Sequence, residues 1–351
     1  MSLSDGMAAL KLEMPDRVPR SENSADFHWP LIRKVTGIDI HNDSPWEFKS
    51  EAAKSFRRAW NYDYIWSVLI STDEFGEKRT SMGHAEYAEG GTDRDENIFQ
   101  LFNDPEDVFK FDPLNEFGIK NLGEITKRFD AHYEEQVNAG EDLVSMTGVY
   151  TTCVSGLIAL LGWETLLEAA GIDSVKFGEF TNRYCQWMDQ YFRALANSKS
   201  PVVMIHDDLV WTSGPFIAPE WYRKYVFPNF KRMFGYLKEA GKIVMFTSDG
   251  DFTAFIDDLA PFVNAFIMEP MTDFNYIAEK YGKTHAFVGN ADTRVLLFGS
   301  KEDIYNEVKR IMDIGKKYPG FFMSVGNHIP PNTPIESALY YNEVYEKLSK
   351  R

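Results

Sequence analysis

Acidic, amide and imidazole side chains recur in this sequence directly after short apolar runs. His206, Asp207 and Asp208 follow Val202–Ile205, and Asp249, between Ser248 and Gly250, follows Ile243–Phe246. Glu269 follows Ala265–Met268, Asn290 and Asp292 follow Ala286–Val288, and Asn327 and His328 follow Phe321–Val325. Carboxylates gathered in one place raise each other's pKa, which makes proton donors of them. His206, Asp249, Glu269 and His328 also form a nitrogen and oxygen set suited to zinc or another divalent ion. A hydrogen-bonded polar network without metal is the plainer reading, because no close-spaced pair such as HExxH is present. Taken singly, Asp207, Asp208, Asn290 and Asp292 also suit helix N-caps.

Such groups meet only if the elements before them are parallel and end on one rim. The runs 62–69, 143–147, 202–206, 242–246, 265–268, 286–288 and 321–325 read as strands. Several are apolar throughout, as strands buried on both faces are. Amphipathic stretches separate them, so the pattern is that of βα units. Ser44-Pro45-Trp46-Glu47 predicts a capping box, and Ala218-Pro219-Glu220 predicts a helix start. Pro228 predicts a kink and Gly241 a stop. Ser300 opens a helix carrying Ile304, Val308, Ile311 and Ile314. The fold class expected is α/β, a (β/α)8 TIM barrel, whose chemistry sits at the carboxyl ends of the strands. Residues 15–351 would form this single domain after an N-terminal tail of residues 1–14, with a lid or hairpin at 70–100.

Composition narrows the partners. The chain has 351 residues, 37 basic and 53 acidic, for a net charge of −16. That charge repels phosphate backbones, so no nucleic acid is expected. No apolar stretch approaches a membrane span, and Leu157–Leu161 is soon followed by Glu164 and Glu168. The first residues lack the basic and apolar regions of a secretory signal. The two cysteines, Cys153 and Cys185, form no disulfide framework and fit a reducing cytoplasm. An acidic barrel with exposed aromatics also suits a homodimer.

Several segments together resemble the uroporphyrinogen decarboxylase superfamily, which includes corrinoid-linked methyltransferases. They are Pro15-Asp16-Arg17-Val18-Pro19, Gly148-Val149-Tyr150-Thr151, Leu161-Gly162-Trp163-Glu164, and Asp207-Asp208 with Gly214-Pro215-Phe216-Ile217-Ala218-Pro219. Tyr225-Val226-Phe227-Pro228, Ser248-Asp249-Gly250, Gly289-Asn290-Ala291-Asp292, Gly299-Ser300-Lys301-Glu302 and 329–336 continue the series. The resemblance covers most of residues 15–345 and implies a (β/α)8 barrel.

The departures from that family bear on the reaction. The stretch Ser21–Pro30 lacks the arginine pair with which decarboxylases grip propionates. Asp73 is the nearest acid to their essential aspartate. Their tyrosine falls near Ser155, and their histidine aligns with Asn327, next to His328. The zinc thiolates of some methyltransferases are represented by Thr247, Asp249 and Asn327. The resemblance therefore implies a methyltransferase that demethylates a small compound onto a corrinoid carried by a partner protein, without a tightly bound cofactor of its own. Asp208, Asp249, Glu269 and His328 are the expected catalytic groups. Tyr150, His206, Asp207, Trp211, Phe216, Asn290, Asp292 and Asn327 are the expected substrate contacts. The rivals are a decarboxylase of a porphyrinogen or other carboxylated substrate, and a non-catalytic barrel that binds a small ligand.

Overall fold

The apolar runs pair as expected of strands buried on both faces. In a computed structural model that describes residues 1–80 and 101–351, six strands lie side by side in chain order, every pair parallel. They are β1 (Thr147–Val149), β2 (Val202–His206), β3 (Ile243–Ser248), β4 (Ala265–Met268), β5 (Ala286–Val288) and β6 (Phe321–Phe322). Parallel bridges complete the ring: Arg20 to Tyr62 and to Met323, Tyr64 to Val144, and Ile70 to Val149. The two extended segments so tied, one at Arg20 and one from Tyr62 to Ile70, close the sheet into a (β/α)8 barrel.

Side chains alternate across this wall, as the strand period requires. Val202, Met204, Met245, Ala265, Ala286, Val288 and Phe322 cluster inside with Tyr64, Val144 and Met146. Val203, Ile205, Val244, Phe246, Phe266 and Phe287 belong to the outer core under the helices. Gly148 is required where β1 meets β2, because a Cβ there would stand 1.7 Å from the Met204 carbonyl oxygen.

The N-terminal segment is not a tail. Leu3–Leu10 is a helix, capped by the Ser2 hydroxyl. Its Ala9 and Leu10 join the inner cluster. Gly6 packs so closely on the barrel floor that a Cβ would lie 2.5 Å from the Asp63 carbonyl oxygen. The helix stops the amino-terminal end of the barrel, and its apolar residues are too few and small to signal that in the sequence.

Other local expectations meet mixed outcomes. The helix expected after Ser300 forms, Lys301–Gly315, and Ser300 and Asp303 cap it reciprocally as a capping box. The capping box expected at Ser44 does not form: helix Trp46–Ala59 starts after Pro45 without a side-chain cap, and the Ser44 hydroxyl accepts from the His41 N–H instead. Near Pro228 the chain makes two helices, Pro219–Tyr225 and Phe227–Glu239. Val154–Ile172 is long and apolar enough to cross a membrane, which the sequence did not lead us to expect. Most of it is buried in the core, and it breaks at Gly162 (φ 73°). Of the lid expected at 70–100, residues 81–100 lie outside the described residues, and Thr72–Phe75 is a 3₁₀ turn.

Candidate active site

The carboxyl ends of β2, β3 and β4 bring His206, Asp208, Asp249 and Glu269 into one recess. His206 Nε2 stands 3.1 Å from Asp208 Oδ1. On its other side, His206 Nδ1 lies 3.2 Å from the Tyr150 carbonyl oxygen. The Tyr150 ring stacks on the imidazole at 3.9 Å, 8° from parallel, and Trp66 meets it edge-on at 6.4 Å. Ser155 Oγ donates to Asp208 Oδ2 at 3.2 Å and accepts from the Asp208 N–H at 2.6 Å. The Asp249 N–H donates to Asp208 Oδ1 at 3.3 Å.

A tight turn after β3 aims Asp249 at its neighbours. Gly250 has φ +78°, and a Cβ there would stand 2.4 Å from the Trp211 carbonyl oxygen, so glycine is required on both counts. The Gly250 N–H donates to Glu269 Oε2 at 2.6 Å. Asn327 Nδ2 donates to the other oxygen of Glu269.

Proximity sets the charges. Burial alone would lower the His206 pKa, but the adjacent Asp208 carboxylate reverses this and raises it to about 9. Burial works against the Asp208 carboxylate too, yet the His206 charge and its hydrogen bonds hold it below its usual range. Asp249 faces the recess and is exposed to solvent. Enclosure raises its pKa well above the usual carboxylate value, and Asp208 and Glu269 raise it further. Since water reaches the group, those two negative charges are the firmer cause. Glu269 is raised by burial and by Asp208, against the pull of the Gly250 N–H and Asn327. The recess thus holds an imidazolium paired with a carboxylate, beside two carboxyl groups that hold their protons to higher pH than an ordinary carboxyl.

Some expected site residues do other work. Asp207 is fully buried and accepts from the N–H groups of Cys153 (3.1 Å) and Ser155 (2.7 Å) at the start of helix Val154–Ile172. Asp292 caps helix Thr293–Phe298 and pairs with Arg294. Asn290 is buried and spends its amide on the Glu269 and Thr272 carbonyls. His328 lies outside the recess cluster: its Nδ1 is 2.6 Å from Ser24 Oγ, and burial lowers its pKa to about 4. The metal set also changes. His206, Asp208 and Asp249 each place a donor atom within 4.8 Å of the others, and Glu269 and His328 are not in this group.

Trp211 and Phe216 form an aromatic wall with Trp163, at centroid distances of 5.0–5.7 Å. Trp211 is 43% exposed, and the Asp251 N–H donates to its carbonyl oxygen at 3.0 Å, so the wall borders the Asp249 turn. Sequence reasoning did not assign Ser155 and Trp66 to the site. Ser155 begins the helix after β1, and a polar residue at that place was the available signal.

Asp207 supplies a stability test. Its Oδ2 has no partner, and burial raises its pKa to about 7 despite the N–H bonds. Between about pH 4 and 7 only the folded chain holds this proton, so stability falls as pH rises through that window, by up to about 1.4 kcal/mol per pH unit. Below the window both states are protonated, and above it neither is. Asp207→Asn keeps an oxygen for both N–H groups. Urea unfolding at pH 5 and pH 8 should show a smaller difference for the variant than for the unaltered protein; an equal difference would disprove the assignment.

The comparisons with known proteins agree with this architecture. Curated uroporphyrinogen decarboxylases match part of the chain. The one from Carboxydothermus hydrogenoformans is 30% identical over 160 residues, 46% of this chain and 44% of its own. The one from Syntrophotalea carbinolica is 28% identical over 162 residues, 46% of this chain and 45% of its own. The chain thus spans less than half the length of these relatives. A solved methyltransferase from Methanosarcina mazei superposes over 99% of both chains with a TM-score of 0.64 at 15% identity, a likeness of fold. The family profile described as uroporphyrinogen decarboxylase (URO-D) matches residues 94–347. On that match, the chain belongs to the uroporphyrinogen decarboxylase family, as a divergent member.

Proposed function

We propose that this protein is a methyltransferase that moves a methyl group from a small methylated compound to a corrinoid carried by a partner protein. The observation that carries this reading is the acid-rich recess of Asp208, Asp249 and Glu269. Among the described residues, no arginine or lysine is bonded to any of the three. A porphyrinogen bearing many carboxylates would find there no cation except the His206 imidazolium, which Asp208 already pairs, on a chain at −16. Demethylation of an ether or amine needs a proton on the departing heteroatom, which the recess is built to hold.

A reduced corrinoid, when its carrier is docked, supplies the nucleophile. The chain's own residues do the rest. Asp249, protonated and in contact with solvent, gives its proton to the leaving oxygen or nitrogen. Asp208 and the Tyr150 carbonyl fix the imidazolium of His206, whose charge stabilises the Asp249 carboxylate left behind. Glu269 holds the Gly250 turn. Trp163, Trp211 and Phe216 offer a flat apolar wall that excludes water beside the reacting group. The two buried cysteines form no disulfide, the Cys185 thiol lying 3.3 Å from the Cys153 sulfur, which fits a reducing cytoplasm.

The test uses a reduced corrinoid protein and a panel of methyl ethers, methylamines and methyl thiols. A donor-dependent change in the corrinoid absorption spectrum is the expected result. Loss of carboxylates from uroporphyrinogen, with no spectral change across the panel, would replace this reading with decarboxylation.

The clustered donors of His206, Asp208 and Asp249 favour a second reading, a divalent ion such as zinc. An ion there would bind Asp249 as a carboxylate and deny it the proton-donor role. Elemental analysis of the purified protein separates the two. The proton-donor reading expects metal well below one equivalent per chain. One equivalent that is lost in Asp249→Asn would establish the metal centre instead.

A further inference from the structure

A second cavity, of about 200 Å³, opens beside the recess, between the segment after Arg20 and helix Trp46–Ala59. Trp29, Trp46 and Trp66 supply its flat walls. Trp66 is shared: it lines the cavity, and its ring meets the Tyr150 and His206 rings edge-on. One tryptophan therefore separates this cavity from the acidic recess.

The polar groups of the lining divide into spent and unspent. Arg57 is bound to Asp26 at 2.6 Å and to Glu141 at 2.7 Å. Glu22 is bound to Arg20, the Tyr341 hydroxyl and the Val325 N–H, at 2.7–2.8 Å. These charges are already neutralised within the protein. Two groups are not. The Tyr62 side chain is 1% exposed, lines the cavity, and its hydroxyl has no hydrogen-bond partner. Lys49 donates to the Asn42 carbonyl at 2.5 Å and lies 5.3 Å from the Trp29 ring. Among the described residues, no carboxylate is within ion-pair distance of it. A buried donor left unpaired is unfavourable until something accepts its proton.

We propose that this cavity is a binding site for a planar aromatic ring that carries a carboxylate. The tryptophans stack the ring, the Tyr62 hydroxyl donates to an acceptor oxygen, and the Lys49 ammonium pairs with the carboxylate at the rim. An organic ammonium ion would also find aromatic faces here, but it would meet the Lys49 charge and leave the Tyr62 donor unpaired. The proposal goes beyond methyl transfer and does not require it.

Titration calorimetry with benzoate as probe tests it on the full chain. Saturable benzoate binding is expected, with far weaker binding of cyclohexanecarboxylate and none of tetramethylammonium. Lys49→Gln should weaken benzoate at least tenfold, in line with loss of a charged hydrogen bond, and leave benzyl alcohol little changed. Trp46→Ala, at an exposed helix start, should weaken both. Asp249→Asn, in the other recess, should change neither. Unchanged benzoate affinity in Lys49→Gln and Trp46→Ala, or binding of tetramethylammonium in preference to benzoate, would overturn the proposal. Binding lost only in Asp249→Asn would place benzoate in the acidic recess and overturn it too.

Discussion

Asp249→Asn is expected to lower kcat for demethylation by about 10²- to 10⁴-fold, the usual contribution of a positioned general acid. The amide has nearly the same shape, so the fold and KM should change little. It cannot deliver a proton. The loss should therefore depend on the leaving group: large for an alkyl methyl ether, which departs as a strong base, and small for a methyl donor whose leaving group is stable without a proton. Single-turnover rates across such a series provide the measurement. An equal loss for good and poor leaving groups would assign Asp249 to positioning or metal binding. The pH profile should agree in direction. Because neighbouring negative charges hold the Asp249 proton, activity persists above the ordinary carboxylate range and falls as pH rises through the raised pKa.

The second large effect concerns stability. Arg20→Ala should destabilise the protein by about 3–5 kcal/mol, the loss typical of breaking a buried ion pair from one side. Arg20 is fully buried, 2.8 Å from Glu22, with its guanidinium 4.2 Å from the Tyr345 ring and 4.9 Å from the Trp60 ring. Removing it strands the Glu22 charge inside the protein and empties a stacked volume. Arg20→Met with Glu22→Gln removes both charges and fills the space, so most of the stability should return. Urea midpoints for the two variants check this; similar loss in both would show that packing, and not the uncompensated carboxylate, dominates.

The same residue shows why part of the barrel was illegible in the sequence. β2, β4 and β5 coincide with the expected apolar runs, because strands buried on both faces must be apolar. The segment at Arg20 has an arginine where a strand core would be apolar, follows Pro19, and is held by single bridges, so neither composition nor periodicity marks it. The site was legible to a similar degree. Position after a strand brought Asp208, Asp249 and Glu269 together, since strand ends share a rim whatever the loops do. The same rule also swept in Asp292, Asn290 and His328. Whether a polar group in a loop turns inward is decided by the local turn and by the nearest unpaired N–H or carbonyl, and one letter at a time does not show that. The clustered donors differ in part from the expected metal set for this reason: His206 and Asp249 are shared, Asp208, one residue past a buried Asp207, points to His206, and His328 finds Ser24.

The closure of the ring bears on how the protein is made. Arg20 pairs with Met323, and Glu22 receives the N–H of Val325, 303 residues along the chain. The Val18 N–H is bonded to the Ser349 carbonyl. During synthesis, which runs from the N-terminus, the first wall of the barrel therefore waits for its second neighbour until Met323 and Val325 have been made. Until then Arg20, Glu22 and the strand edges beside them have no final partners. A nascent chain of this protein carries an open sheet through the roughly 300 residues that separate the two walls, and the emergence of the Met323–Val325 segment is the event that allows the wall to be sealed.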